Sequence, residues 1–307
     1  MRSNESSGRG ALILAGGEGA RLRDLTRRIA GYDVPKQFCP VIGGATLLEE
    51  THRRVSLGIA PSRIITVATR SHERFYRPLL GELSPGNVIA QPCNRGTAPA
   101  ILYGLLRQAM IAPSAPVAIF PSDHFVSDDA EFMRQVDLAF AGVSVHPELV
   151  VLLGIIPDGP ESAYGWIEPA ERLRLNCDGF FRVRRFWEKP RPCVAERLWN
   201  RQCLWNSFVL IGRIPALLLM TIQALPAMCA AFAQARSIFG TAQEPEAFEA
   251  LYAKIPSADF SGAVLERHPQ NLAVLKVSGV EWSDLGEPER VMGTLARIGV
   301  HPRWAAA

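Results

Sequence analysis

No apolar run long enough to cross a membrane goes uninterrupted in these 307 residues. The nearest approach, residues 214–233 (IPALLLMTIQALPAMCAAFA), is broken by Pro215, Gln223 and Pro226. It reads as a buried helix that breaks near Pro226. The opening MRSNESSGRG lacks the apolar stretch of a secretory signal and reads as a disordered tail over residues 1–10. A membrane partner is therefore not expected, and a cytoplasmic protein is. Cysteine is sparse and unpaired in sequence. Cys39, Cys93, Cys177, Cys193, Cys203 and Cys229 form no Cys-x-x-Cys motif. That spacing argues against zinc and against a disulfide framework, and for reduced thiols. Charge of one sign is lacking too: 33 Lys and Arg oppose 30 Asp and Glu, for a net +3. So small an excess gives no reason to expect nucleic acid as a partner. Arg27-Arg28 and Arg184-Arg185 read as solvated surface pairs. There is no internal repeat and no low-complexity linker.

What is present is ordinary globular material, 48% hydrophobic and 21% charged, enough for one large or two small domains. The chain is organised around residues 11–40. Residues 11–15 (ALILA) are apolar on both faces and too short for a helix, so they read as a buried parallel strand. Gly16, Gly17 and Gly19 follow, then Arg21, and Lys36 after Pro35. Successive backbone N–H groups in a glycine turn form an anion-binding concavity, and fixed cations offset a polyphosphate. Taken alone, the turn reads either as that or as a tight turn. It is neither a P-loop, since no Gly-Lys-Ser/Thr closes it, nor a dinucleotide fingerprint.

Along the chain, a short strand and turn is expected over 41–46 and a helix over 47–57. A strand is expected over 63–69, a helix over 73–83, and a short strand over 88–90. The loop QPCNRGTAPA then offers Gln91, Asn94, Arg95 and Thr97 at a strand end, where open α/β sheets bind ligands. A helix over 97–110 starts there with Thr97 as a candidate N-cap. A buried strand over 116–120 ends in PSDH, which puts Asp123 where a carboxylate could cap a turn or hold Mg²⁺. A helix over 129–141 and a strand over 149–155 complete a strand–helix alternation. That alternation implies a doubly wound, mostly parallel, Rossmann-like α/β sheet with helices on both faces. The second half is different: YGWIE, a strand-like FFRVRRFWE leading into Glu188-Lys189-Pro190, and WNSF. A strand over 272–277, WSDLG and a helix from Pro288 close the chain.

The string LAGGEGARL, LT, PKQF resembles the signature of the sugar-1-phosphate nucleotidyltransferases, with the PKQF ending most similar to the mannose-1-phosphate guanylyltransferase branch. PSDH, YGWIE, FWEKP, WNSF, IPSADFSGAVLE and WSDLG resemble further motifs of that family in its order, over about residues 11–290. The resemblance implies a nucleotide-binding half (about 11–155) and a sugar-phosphate half (about 156–300) with a small sugar-binding β subregion. Together they would form a single domain over 11–300. It implies nucleotide contacts from Ala15, Gly16, Gly17, Gly19, Arg21, Lys36, Gln91, Arg95, Thr97 and Asp123. Arg21, Lys36 and Asp123 would be catalytic. Sugar-phosphate contacts would come from Gly165, Glu188, Lys189 and Asn206. Asp123 and Asp284, far apart in the chain, would meet at one Mg²⁺. His124 again points to the mannose branch and receives no chemical role.

Two departures stand out. The family reads Arg-Asn-Thr-Ala-Pro-Ala where this chain has Gly96 in place of the Asn. It also reads Trp-Asn-Ser-Gly-Met-Phe where Phe208 here directly follows Ser207, which implies a shortened turn. The implied reaction is GMP transfer from GTP to mannose 1-phosphate, giving GDP-mannose and pyrophosphate. The alternatives are the same chemistry on glucose 1-phosphate with UTP or dTTP, and a non-catalytic sugar-nucleotide-binding protein. No C-terminal β-helix or cupin-type domain is expected. Oligomeric state is open, with a homodimer as one candidate.

Overall fold

Among the described residues, nine strands form one continuous sheet through both halves of the chain, in the order β3-β2-β1-β4-β9-β6-β10-β8-β7. The computed structural model describes residues 8–81, 84–174 and 178–305. Most of the expected tail (1–7), the last two residues of the helix expected over 73–83, and Cys177 lie outside the described residues. The first half runs β1 (Gly10–Ala15), α1 (Arg23–Ala30), α2 (Leu47–Ser56), β2 (Ile64–Thr69), α3 (Glu73–Leu80), β3 (Val88–Gln91), α4 (Thr97–Ile111) and β4 (Pro116–Pro121). A two-residue β5 (Phe125–Val126), α5 (Asp129–Val145) and β6 (Val150–Ile155) follow.

β1 pairs in parallel with both β2 and β4, and β2 with β3. Because side chains alternate across a strand, Ala11, Ile13 and Ala15 enter one apolar layer and Leu12 the other. Phe132, Val136 and Phe140 of α5 fill the first layer, while Ile101 and Leu105 of α4 fill the second. Helices therefore cover both faces, as the alternation requires.

Of the short strand and turn expected over 41–46, the strand does not form. Residues 41–45 are a bend, and Thr46 instead caps α2: its hydroxyl accepts from Glu49 N, and the Glu49 carboxylate accepts from Thr46 N. So short a stretch with two glycines finds no strand edge to pair with, while Thr-x-x-Glu satisfies two orphan helix donors.

The second half holds β7 (Trp166–Arg172), β8 (Phe180–Trp187), α6 (Pro192–Asn200), β9 (Leu204–Arg213), α7 (Ile214–Ala224), α8 (Pro226–Gln234) and α9 (Glu244–Lys254). β10 (Leu272–Lys276), β11 (Trp282–Ser283) and α10 (Pro288–Ile298) complete it. Here the sheet turns mixed. β9 inserts antiparallel between β4 and β6, and β10 runs parallel to β6. β7 pairs antiparallel with both β8 and β9. That double pairing curls β9, β6, β10, β8 and β7 back on themselves, forming the small β subregion. The apolar run over 214–233 is two helices, α7 and α8, bent by 118° at Pro226. No single helix among the described residues is long and apolar enough to cross a membrane.

The two-residue ladder between β5 and β11 matters most for the site. It sets Ser283 opposite Phe125 and Trp282 opposite Val126. The residues flanking it, Asp123 and Asp284, are thereby carried to one place.

Candidate active site

A cavity of about 380 Å³ opens at the C-terminal ends of β1, β3 and β4 and the start of β9. From the nucleotide half it is lined by Gly16, Gly17, Arg21, Gln91, Thr97 and Asp123. From the other half come Gly165, Glu188, Lys189, Asn206 and Asp284. The two sets of candidate residues therefore share one cleft. Its wall carries four carboxylates (Asp123, Glu188, Asp259, Asp284) against two cations, Arg21 and Lys189.

The glycine loop is shaped from below. Gln37, almost fully buried, donates from Nε2 to the carbonyls of Ala15 (3.0 Å) and Gly17 (2.8 Å). Those bonds use the loop's oxygens and leave its N–H groups for the cavity. Gly19 has φ +60°, and a Cβ there would come within 2.8 Å of Lys36 N. Its glycine is a packing requirement of the Lys36 loop, and it does not line the cavity.

Lys36 is 5% exposed and also lies behind the wall. Its Nζ sits 3.0 Å from Asp123 Oδ2 and donates to the carbonyls of Asp284 and Leu285. The ammonium is thus held by two backbone carbonyls and one carboxylate. Lys36 ties the β4 end to the β11 end, and reaches the cavity by charge and not by contact. Arg95 is the second candidate that turns away, its Nε donating to the Tyr252 carbonyl at 3.0 Å. Ala15 is fully buried and does not line the cavity; its carbonyl accepts from Gln37. Arg21 is exposed and leans to Glu287 at 3.4 Å, a loose surface pair.

Thr97 is not the cap of α4; Gly96 holds that position at φ +87°. The Thr97 hydroxyl instead donates to Asp259 Oδ1 (2.9 Å) and accepts from Phe260 N (2.8 Å). A Cβ at position 96 would stand 2.3 Å from the Ala258 carbonyl oxygen. That carbonyl accepts from Ala98 N, and Ala258 N donates to Arg95 O at 2.9 Å. The chain around Ala258 thus occupies the space that a side chain at 96 would need.

In the sugar half, the expected shortened turn at WNSF is part of strand β9. Phe208 takes φ +59°, Asn206 N donates to the Gly165 carbonyl (2.8 Å), and Asn206 Oδ1 accepts from Phe208 N (3.1 Å). A single left-handed residue, Phe208, thus lies within the strand. Glu188 sits close to Gly165, where a Cβ would meet its Oε2 at 3.2 Å. Burial, reinforced by Asp259 and only partly offset by Lys189, pushes the Glu188 carboxyl up to about 7.

Asp284 is a partly buried carboxylate with three donors on one oxygen. Tyr164 Oη, Arg290 Nη1 and Gly286 N each reach Oδ1 at 2.9 Å. Burial alone would raise this carboxyl, but its positive neighbours, Arg290 and Lys36 among them, and the Gly286 N–H hold it below its usual range. Among the described residues no group of three or more His, Cys, Asp or Glu side chains is placed to hold a metal by itself. Two carboxylates, each with an oxygen outside the bonds just described, still fit a hard cation that takes its other ligands from water and phosphate. Sequence reasoning passed over Gln37, Tyr164, Asp259 and Arg290. Gln37, Tyr164 and Asp259 lie within strings that resemble the family's, but Arg290 carries no motif signal at all.

A mixed α/β sheet with one polar cleft at the strand ends, walled by a glycine loop and by a curled β subregion, defines a nucleotidyltransferase-type fold. The chain belongs to the nucleotidyl transferase family, whose model matches residues 10–296. It is 31% identical over 283 residues to the xanthan biosynthesis protein XanB of Xanthomonas campestris, covering 90% of this chain and 57% of that one. It is 30% identical over 208 residues to a mannose-1-phosphate guanylyltransferase of Salmonella montevideo, covering 66% of this chain and 42% of that one. The match thus spans only about half the length of these relatives. A crystal structure from Thermus thermophilus, described as a mannose-1-phosphate geranyltransferase, superposes with a TM-score of 0.77 at 26% identity. That match covers 91% of this chain and 76% of the other.

Proposed function

We propose that this chain transfers GMP from GTP to mannose 1-phosphate, releasing pyrophosphate and forming GDP-mannose. One observation carries the proposal: the glycine loop and the Glu188-Lys189 segment face the same cavity, and Asp123 and Asp284 line it with them. The PKQF, PSDH and IPSADF strings favour the mannose and guanine pair over other sugar–nucleotide pairs. Relatives bearing the guanylyltransferase name support it further.

In the proposed reaction a phosphate oxygen of the sugar substrate attacks the α-phosphorus. The bond from that phosphorus to the bridging oxygen of the β-phosphate breaks, and its electron pair leaves with pyrophosphate. No covalent enzyme intermediate is needed, so the protein's task is positioning and charge stabilisation. Backbone N–H groups of the Gly16–Gly17 turn and the Arg21 guanidinium take the triphosphate. Gln91 and Thr97 border the nucleoside. Gly165, Glu188 and Asn206 meet sugar hydroxyls, and Lys189 meets the sugar phosphate. Lys36 holds Asp123 against the Asp284 loop and adds a buried positive charge behind them. Asp123 and Asp284 would hold Mg²⁺, which offsets phosphate charge and polarises the α-phosphoryl group when bound.

The test is pyrophosphate release with Mg²⁺, mannose 1-phosphate and each of the four nucleoside triphosphates in turn. Release with GTP alone supports the proposal. Release with UTP or dTTP, or only with glucose 1-phosphate, keeps the chemistry and overturns the substrate pair. Binding of a sugar nucleotide without turnover of any pair overturns the enzymatic reading.

A further inference from the structure

Arg290, at the start of α10, occupies the meeting point of three loops. Its Nη1 reaches Asp284 Oδ1 at 2.9 Å and its Nη2 reaches Glu161 Oε2 at 3.1 Å, on the loop after β6. Its guanidinium lies over the Tyr164 ring, 4.5 Å from the centroid. The Tyr164 hydroxyl donates to the same Asp284 oxygen, and its ring packs edge-on against Trp205 and Trp282. Glu161 is itself fixed, since Ala163 N donates to its other oxygen and Trp166 Nε1 to its carbonyl. Arg290 side-chain exposure is only 17%. The group is therefore held from three sides before any ligand arrives.

We propose that Arg290, assisted by Tyr164, is a positioning residue for Asp284: the two hold Oδ1 so that the other carboxylate oxygen is presented to a divalent cation. The inference rests on the proposed role of Asp284 as a cation ligand. Two physical effects oppose each other here. A guanidinium beside a carboxylate weakens its attraction for a second cation, whereas fixing the carboxylate's rotation removes an ordering cost from binding. Outer partners that orient metal ligands are worth about 10- to 100-fold in metal affinity. Arg290 carries that orienting role here because it also ties Asp284 to the Glu161 loop, which a charge alone would not do.

The experiment titrates Mn²⁺ into the nucleotide-free chain and follows free Mn²⁺ by electron paramagnetic resonance. The variants are Arg290→Met, Arg290→Lys, Tyr164→Phe and Asp284→Asn. The expected result is Mn²⁺ affinity lost in Asp284→Asn, about tenfold weaker in Arg290→Met, and a few-fold weaker in Tyr164→Phe. Arg290→Lys, which keeps the charge but not the two-pronged tie, falls between. Tyr164→Phe keeps the ring under the guanidinium, and a cooperative melt near that of the unaltered protein separates its effect from misfolding. Equal or tighter Mn²⁺ binding in Arg290→Met overturns the inference, because charge relief then outweighs positioning. Binding that does not depend on Asp284 overturns it as well. Pyrophosphate release is measured separately. Where turnover occurs, Arg290→Met should raise the KM for Mg²⁺ and recover kcat at saturating Mg²⁺. An unaltered protein that binds Mn²⁺ through Asp284 yet turns over no substrate pair would sink the proposed reaction and leave the positioning role standing.

Discussion

Glu188 should make the fold less stable as the pH rises. Its carboxyl titrates near 4.5 in an ordinary setting and is pushed up to about 7 here, first by burial and then by the Asp259 carboxylate. A folded-state value above the unfolded one means that the folded chain holds the proton more tightly. The associated stability is complete below about pH 4.5 and is lost as the pH rises through about 7. The interval between those values corresponds to about 3 kcal/mol at most. With 19% of the side chain still exposed, about 2 kcal/mol is the better expectation. Glu188→Gln keeps the shape and removes the titration.

Urea unfolding of both proteins from pH 5 to pH 9 is the assay. At pH 5 the Glu188→Gln protein should lead by less than about 1 kcal/mol. Above pH 8 the Glu188→Gln protein should be the more stable, by about 2 kcal/mol. Asp259→Asn, which removes the neighbouring negative charge and keeps Glu188, should shrink the pH-dependent loss without abolishing it. Parallel curves for the unaltered and Glu188→Gln proteins across the whole range would refute the reasoning, because the proton would then belong to another group.

Three further outcomes follow from the packing around the cleft. Gly96→Asn puts a Cβ 2.3 Å from the Ala258 carbonyl oxygen at φ +87°, and should cost about 2 kcal/mol or more of stability by urea denaturation; an unchanged midpoint would mean that the Ala258 segment gives way freely. Gln37→Leu strands the Ala15 and Gly17 carbonyls, at about 1–3 kcal/mol, and should raise the KM for the triphosphate more than that for the sugar phosphate. Lys36→Met removes the buried ammonium that faces Asp123 at 3.0 Å, so a loss of about 3 kcal/mol with a large fall in turnover is expected; a Lys36→Ala enzyme with an unchanged rate would dismiss its role in the site.

Much of the first half was legible in the chain itself because its signals are local. A five-residue apolar run bounded by glycines can be little other than a buried strand, and β1, β2 and β4 appear where their apolar runs lie. Pro226 bends the apolar segment between α7 and α8 because it supplies no N–H to continue a helix. The bend over 41–45 departs from the expected strand for the opposite reason. A β-branched pair suggests a strand, yet no neighbouring edge was available, and strand formation depends on a partner that local sequence does not name.

The site divides along the same line. Residue types and motif order, read along the chain, picked out the glycine loop, Asp123, Glu188, Asn206 and Asp284 as belonging together, since those groups suit phosphate, hydroxyl and cation chemistry wherever they stand. Which of them face the cleft was decided only by the tertiary structure. Lys36 and Arg95 have the charge that a phosphate site requires, but backbone carbonyls capture both, because a buried donor must find an acceptor close by. Gly96 looked like a lost nucleotide contact and is a glycine because the Ala258 carbonyl fills the space beside it. Asp123 and Asp284 meet because two residues of β5 pair with two of β11 and Lys36 bridges the two ends, contacts between segments far apart in the chain that neither motif names.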